Sequence, residues 1–257
     1  VNEPERLDLA KQRGIWDLLG DAFNLYFRNF PTVFAIGFAV VLPVQLIVSG
    51  IGLEELTSGY RESDNTAELL IPMIVSYLVV ASLIAAATIH ILQRLADGER
   101  PHAGPSIQAG LDVFAPVFLA VLLSGAGIAL GIVLLIVPGI YVAVRWYFIP
   151  QSVVIDGARS TEALRGSWRL TDGYWFRTFG VILLANIVAF LPASIVILPL
   201  QALAESADRQ AIALAGMILT EALTAPFVAL VSTLLFFDIR ARRVGEPQQE
   251  QLPGVDR

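Results

Sequence analysis

Two ionisable residues, Arg145 and Glu221, interrupt long apolar runs of this chain. An ionisable group within a membrane-spanning run is a functional candidate by default. Arg145 follows Pro138-Gly139 closely enough for its side chain to snorkel toward an outer interface, and Glu221 falls near the middle of its run. Arg145 and Glu221 are the candidate intramembrane polar pair, with Glu221 either paired to Arg145 or protonated among shielded neighbours; a proton or ion relay would need further titratable groups along a path. His90 and His102 are the only histidines and cysteine is absent, which removes polyhistidine and thiolate metal sites and any thiolate nucleophile. With no second ligand or serine arranged close by, both histidines read as structural. Gly125, Gly127 and Gly131 lie inside an apolar run rather than after a strand, so they suit close helix packing rather than a dinucleotide loop. Gln45, Asn186 and Gln201 read as interhelical hydrogen-bond partners. The acidic residues fall mostly in loops, and no catalytic, cofactor or metal residue is assigned. No cofactor is expected.

The surroundings of these residues are membrane spans. The 257 residues are 56% hydrophobic and 16% charged, whereas an ordinary soluble domain is roughly 45–50% apolar and 25% charged. Uncharged runs of 25 residues separate Arg28 from Glu54 and Glu68 from Arg94, with runs of 27 at Thr178–Ala204 and 28 at Gln210–Phe237, the last broken only by Glu221. Each exceeds the roughly 20 residues a crossing requires. Val113–Ile155 carries a single charge over 43 residues, enough for two crossings. The turn between them falls at Pro138-Gly139, giving arms Val113–Val137 and Ile140–Ile155, or alternatively at Ser124–Gly127 with Pro138 as a kink. The expected fold is therefore all-α and integral to the membrane, with six transmembrane helices. Its organisation is an N-terminal tail over 1–13, a membrane domain over 14–243 and a disordered tail over 244–257.

Basic residues sort by loop. Fourteen of the seventeen fall in the N-terminal segment, the second and fourth loops and the tail, against Arg61 and Arg209 in the others and Arg145 within a span. Cytoplasmic loops carry the excess of Arg and Lys, which predicts both termini on the cytoplasmic side of the cell membrane. The first thirteen residues, mostly polar and charged, show no signal-peptide pattern. A net charge of -6 disfavours a nucleic-acid partner; the expected partners are membrane lipids and a membrane or cytoplasmic protein.

Three segments ahead of the odd-numbered spans read as interfacial amphipathic helices. The first carries Ile15, Trp16, Leu18, Leu19, Ala22, Phe23 and Tyr26 on one face; the second carries Ile107, Leu111, Phe114, Ala115 and Phe118; the third is capped by Ser160 with Glu162 in its first turn. Tyr26-Phe27-Arg28-Asn29-Phe30 matches Trp175-Phe176-Arg177-Thr178-Phe179, and Leu42-Pro43 matches Leu191-Pro192, at one offset of 149 residues. The chain reads as three parallel helix-plus-hairpin repeats. Arg28 and Arg177 become equivalent anchors, each holding either a lipid phosphate or a carboxylate from Asp17, Asp21 or Asp172.

The stretch Ile136-Val137-Pro138-Gly139-Ile140, then Pro150 and Asp156-Gly157, then Ala163 through Gly173, resembles the glycerophosphoryl diester phosphodiesterase membrane domain family. The ending Phe237-Asp238-Ile239-Arg240-Ala241-Arg242 is similar to that family's aromatic-x-Asp-Leu-Arg ending. The resemblance implies a multi-pass bacterial membrane module, sometimes attached to a soluble phosphodiesterase barrel that would carry the catalysis. The expected role is non-catalytic: a module that organises lipid or a protein partner. The alternative is a small-molecule or lipid transporter, which would require a polar cavity linking Arg145, Glu221 and Asn186; an intramembrane enzyme lacks a nucleophile-base arrangement.

Overall fold

A computed structural model describes residues 7–48 and 66–249; most of the expected acidic loop Glu54–Glu68 lies outside them. Ten α-helices and no strand occur among the described residues. Five are long and apolar enough to cross a membrane: α2 (Phe30–Val48), α3 (Thr66–Ala96), α5 (Phe114–Leu134), α9 (Trp175–Ser206) and α10 (Gln210–Gln249). The other five are short: α1 (Ile15–Arg28), α4 (Ala103–Asp112), α6 (Ile136–Arg145), α7 (Ile149–Asp156) and α8 (Ser160–Leu170). Chain in this apolar setting becomes helical because a helix satisfies its own backbone donors and acceptors.

The central element is α10, which packs on α1, α2, α3 and α9. Leu230, Leu234, Leu235, Phe236 and Ile239 are buried among Leu18 and Ala22 of α1, Val33 and Ile36 of α2 and Ile84 and Ile91 of α3. A β-carbon on Gly37 would collide with the carbonyl oxygen of Ala222, so α2 and α10 touch backbone to backbone there.

The expected fourth crossing is not one helix. Residues Trp146–Phe148 form a turn between α6 and α7. Pro150, in the first turn of α7, has no N–H to donate to the carbonyl four residues back, and its ring crowds that carbonyl. The break falls there. The hairpin corner lies at Leu135, whose extended backbone (φ -161, ψ 132) separates α5 from α6. It precedes Pro138-Gly139 by three residues, and Pro138 occupies the first turn of α6, where a missing N–H is tolerated. Ser124–Gly127 runs inside α5. The two arms approach closely through glycine: a β-carbon on Gly139 would lie 2.6 Å from the Ile132 nitrogen, and one on Gly131 would lie 3.1 Å from the Gly139 α-carbon.

The short helices differ in detail from the sequence expectation. On α1 the buried stripe is Leu18, Leu19, Ala22, Leu25 and Tyr26, while Trp16 (75%) and Phe23 (52%) face outward. The second expected helix is divided at Val113 into α4 and α5, and Leu111 is exposed; the small residues Ser106 and Gly110 let α4 lie against α3. Arg159, not Ser160, holds the cap position of α8, its N–H donating to the Glu162 carboxylate at 3.3 Å. The matched motifs also fall differently, Tyr26-Phe27-Arg28 closing α1 and Trp175-Phe176-Arg177 opening α9, because Gly173 (φ 73) ends the preceding turn early. At the termini, Leu7 donates its N–H to the Leu95 carbonyl (3.3 Å), Arg13 is buried, and α10 runs past residue 243 to Gln249.

Candidate functional site

Three polar assemblies stand out from this apolar frame. The first is centred on Asp238, fully buried one helical turn ahead of Arg242. Its carboxylate accepts the backbone N–H of Arg13 at 2.7 Å, Nε of Arg177 at 3.0 Å and Nε of Arg242 at 3.1 Å. Both guanidinium groups also donate to the carbonyl oxygen of Arg13, each at 2.6 Å. The Arg13 side chain turns to Asp21 (2.9 Å) and to the Asp8 carbonyl (2.6 Å). A buried carboxylate is tolerable only when so paired. The cluster ties the segment before α1, the first turn of α9 and the end of α10 together.

The second assembly lies at the break between α6 and α7. The turn at Trp146–Phe148 releases backbone groups that α6 and α7 cannot pair internally, and α8 supplies the partners. Ser167 donates its hydroxyl to the Arg145 carbonyl at 2.8 Å and accepts the Phe148 N–H at 3.1 Å; the Thr171 hydroxyl lies 3.3 Å from the same carbonyl and nearer the Ser167 and Trp168 carbonyls of its own helix, at 3.0 and 3.1 Å. The Arg145 guanidinium lies 5.2 Å and 5.0 Å from the rings of Tyr141 and Trp168. It donates to the Tyr141 hydroxyl at 2.7 Å and to Asp172 at 3.0 Å. Arg243, from the end of α10, donates to the Arg169 and Asp172 carbonyls, covering the C-terminal end of α8 where cations are favoured.

The third is a cavity of about 610 Å³ bounded by α3, α5, the α6–α7 break, α9 and α10. Its wall is mostly apolar, with Glu221, Thr220, Thr224 and Ser232 from α10, Asn186 from α9, Ser124 from α5 and Gln151 from α7 as polar points. No Arg, Lys or His is among its described lining residues. Gln45 of α2 donates to Glu221 at 2.5 Å, and Gln151 donates to Ser232 at 2.7 Å. The Gln151 Oε1 and Thr220 Oγ1 atoms are buried without a hydrogen-bond partner. The volume falls within the roughly 300–1,000 Å³ of small-molecule sites.

The expected Arg145–Glu221 pair is replaced by two others. Arg145 takes Asp172, and Glu221 takes Gln45, because the break turns Arg145 toward α8 while Glu221 faces α2 and the cavity. Arg177 takes Asp238 rather than Asp17, Asp21 or Asp172, whereas Arg28 is exposed and makes no ion pair among the described residues. Asn186 donates to the Ile182 carbonyl of its own helix at 2.8 Å, not across helices. His90 Nδ1 lies 3.1 Å from the Ser106 hydroxyl, linking α3 to α4. Among the described residues no three His, Asp or Glu side chains are grouped to hold a metal ion.

Sequence reading passed over Arg13, Gln151 and Thr220, and took Asp238 only as part of a motif. The signal for Asp238 was present: it is a carboxylate directly after the apolar run Leu234–Phe237, with arginines two, four and five residues later.

No solved structure matches the chain. Residues 114–251, more than half of it, match the family model described as the membrane domain of glycerophosphoryl diester phosphodiesterase, and that span contains the broken crossing, α8, the cavity wall from α9 and α10, and Asp238. The protein is a multi-pass membrane protein that belongs to the glycerophosphoryl diester phosphodiesterase membrane domain family.

Proposed function

We propose that this protein is a non-catalytic membrane module that holds a membrane lipid within its helical bundle. The observation that carries the reading is the cavity of about 610 Å³, apolar over most of its wall and enclosed by helices long enough to span the bilayer. In the same reading the chain crosses the membrane six times, with α6 and α7, joined through the turn at Trp146–Phe148, together making the fourth crossing over 136–156. Both termini are cytoplasmic, as the basic residues favour. The short helices α1, α4 and α8 stand before the three hairpins at the cytoplasmic side as units of a parallel repeat, with Arg28 at the phosphate level of the inner surface. A membrane or cytoplasmic protein partner fits the same role, and nucleic acid does not.

The test is native mass spectrometry of protein extracted from membranes in mild detergent. About one lipid per chain should be retained by the parent, and less by Ala81→Phe, which places a ring in the cavity. Equal retention by both would put the lipid elsewhere and overturn the reading.

A second reading, a transporter of a lipid or small molecule, is favoured by the presence of Glu221 and Asn186 on the cavity wall. Arg145, the third residue that such a pathway called for, is engaged outside the cavity. Flux into proteoliposomes, lost in Ala81→Phe, would raise this reading above the first.

A further inference from the structure

The chemistry of the cavity wall says which lipid head it takes. We propose that the cavity binds a single-chain amphiphile with an uncharged, hydroxyl-bearing head, of the monoacylglycerol kind, and discriminates against anionic phosphate heads. The inference rests on the reading that the cavity holds lipid and adds the identity of the head.

Three observations support it. First, no cationic side chain lines the cavity among the described residues, and the one carboxyl side chain there is that of Glu221. A phosphate monoester brought into such a site would lose its hydration and meet no compensating positive charge. Second, Gln151 is 1% exposed, its amide nitrogen is committed to Ser232, and its oxygen Oε1 is buried with no donor facing it. Burying an acceptor without a partner is unfavourable, and a ligand hydroxyl donating to Oε1 removes that penalty. Thr220 Oγ1, also without a partner, is a second point for a hydroxyl or for water. Third, the polar points are spread along α10 from Thr220 to Ser232, twelve residues or roughly 18 Å of helix rise. The wall between them is mostly apolar, which suits a single acyl chain.

The head is placed at Gln151 rather than at Glu221. Glu221 already receives Gln45, and Gln151 stands immediately after Pro150, on the half-helix that the break turns into the cavity. The Arg145 carbonyl and the Phe148 N–H that precede it are both held by Ser167 of α8, which positions Gln151 before a ligand arrives.

The experiment uses the full chain in phosphatidylcholine nanodiscs and a photoreactive analogue of 1-monooleoylglycerol, with labelled peptides located by mass spectrometry. Labelling should fall on cavity-lining peptides of α7 and α10. Unlabelled 1-monooleoylglycerol should compete at a concentration at least tenfold below that of 1-oleoyl lysophosphatidate, which has the same chain with a phosphate head. Gln151→Leu should reduce labelling about fivefold or more. Since that variant also removes the Ser232 contact, Glu221→Gln serves as an independent measure and should narrow the discrimination against lysophosphatidate. Equal competition by the two lipids would overturn the head assignment while leaving a lipid site in place. Tenfold better competition by oleylamine than by monooleoylglycerol would replace the neutral head with a cationic one. Labelling confined to other surfaces would overturn both this inference and the lipid-holding function.

Discussion

The backbone N–H of Arg13 donates to the carboxylate of Asp238 at 2.7 Å, joining residues 225 positions apart in the chain. Neither group is available to water, since Arg13 is 2% and Asp238 0% exposed. The bond therefore acts as a closure between the start and the end of the described fold. Arg177 and Arg242 surround it, each contacting both the carboxylate and the Arg13 carbonyl.

Removing the Asp238 charge should be among the most damaging single changes in the protein. Asp238→Asn leaves the partly buried Arg177 and Arg242 against a neutral amide, and loss of one partner of a buried pair costs about 3–5 kcal/mol. Thermal unfolding of the purified variant in detergent should show a markedly lower midpoint. A midpoint within a degree of the parent would contradict the role of the cluster.

Arg177 and Arg28 should respond differently to the same substitution. Arg177→Lys keeps the charge but offers no planar fork to reach both Asp238 and the Arg13 carbonyl, so it should still lose stability. Arg28→Gln should change the unfolding midpoint little in neutral detergent, because Arg28 is exposed. Added anionic lipid should stabilise the parent more than Arg28→Gln if Arg28 meets a phosphate; equal stabilisation would remove that anchor.

The hydroxyls at the broken crossing should be interdependent. Ser167 donates to the Arg145 carbonyl at 2.8 Å, and the Thr171 hydroxyl, 3.3 Å away with nearer acceptors on its own helix, can turn to that carbonyl when Ser167 is lost. The double variant Ser167→Ala with Thr171→Val leaves it bare, at an expected loss of about 1–3 kcal/mol beyond the sum of the singles. A double-mutant cycle by thermal or chemical unfolding measures the difference, and strict additivity would argue against a shared acceptor.

Glycines should separate by position. Gly139→Ala pushes a β-carbon into the Ile132 backbone and should loosen the α5–α6 hairpin. Gly20, inside α1 with open space around it, should tolerate alanine and gain roughly 0.5–1 kcal/mol from helix propensity. Opposite signs in the two unfolding midpoints are the expected result.

Sidedness is testable because the chain lacks cysteine. Single cysteines at Ala103, the first residue of α4, and Ser206, at the end of α9, should differ in intact cells, with an impermeant maleimide labelling Ser206→Cys but not Ala103→Cys. The reverse pattern would invert the proposed topology.

The long helices were legible in the sequence because charge-free length is the property the bilayer selects. Run length does not report backbone continuity, and so the fourth crossing read as a helix although Pro150 marked the place where it breaks. The anchor residues were half legible. Arg145 and Arg177 were identifiable as charges that need partners, but Asp172 and Asp238 became those partners only through the turn before α9 and the antiparallel packing of α9 on α10. Gln151 and Thr220 carried no signal, since an uncharged polar residue in an apolar run acquires meaning only when its neighbours are known. The glycine spacing at Gly127 and Gly131 was legible because close approach depends on a missing side chain, a local property.

The stitching of the broken crossing by α8 has a mechanical consequence. Arg243 holds the end of α8, α8 holds the Arg145 carbonyl and the Phe148 N–H, and the segment so held carries Tyr147, Pro150 and Gln151 into the cavity wall. Tail, short helix and wall are thereby joined in one hydrogen-bonded linkage that passes through the turn at Trp146–Phe148. A displacement of α8 reaches that turn directly, and the surface next in line is the one facing the cavity.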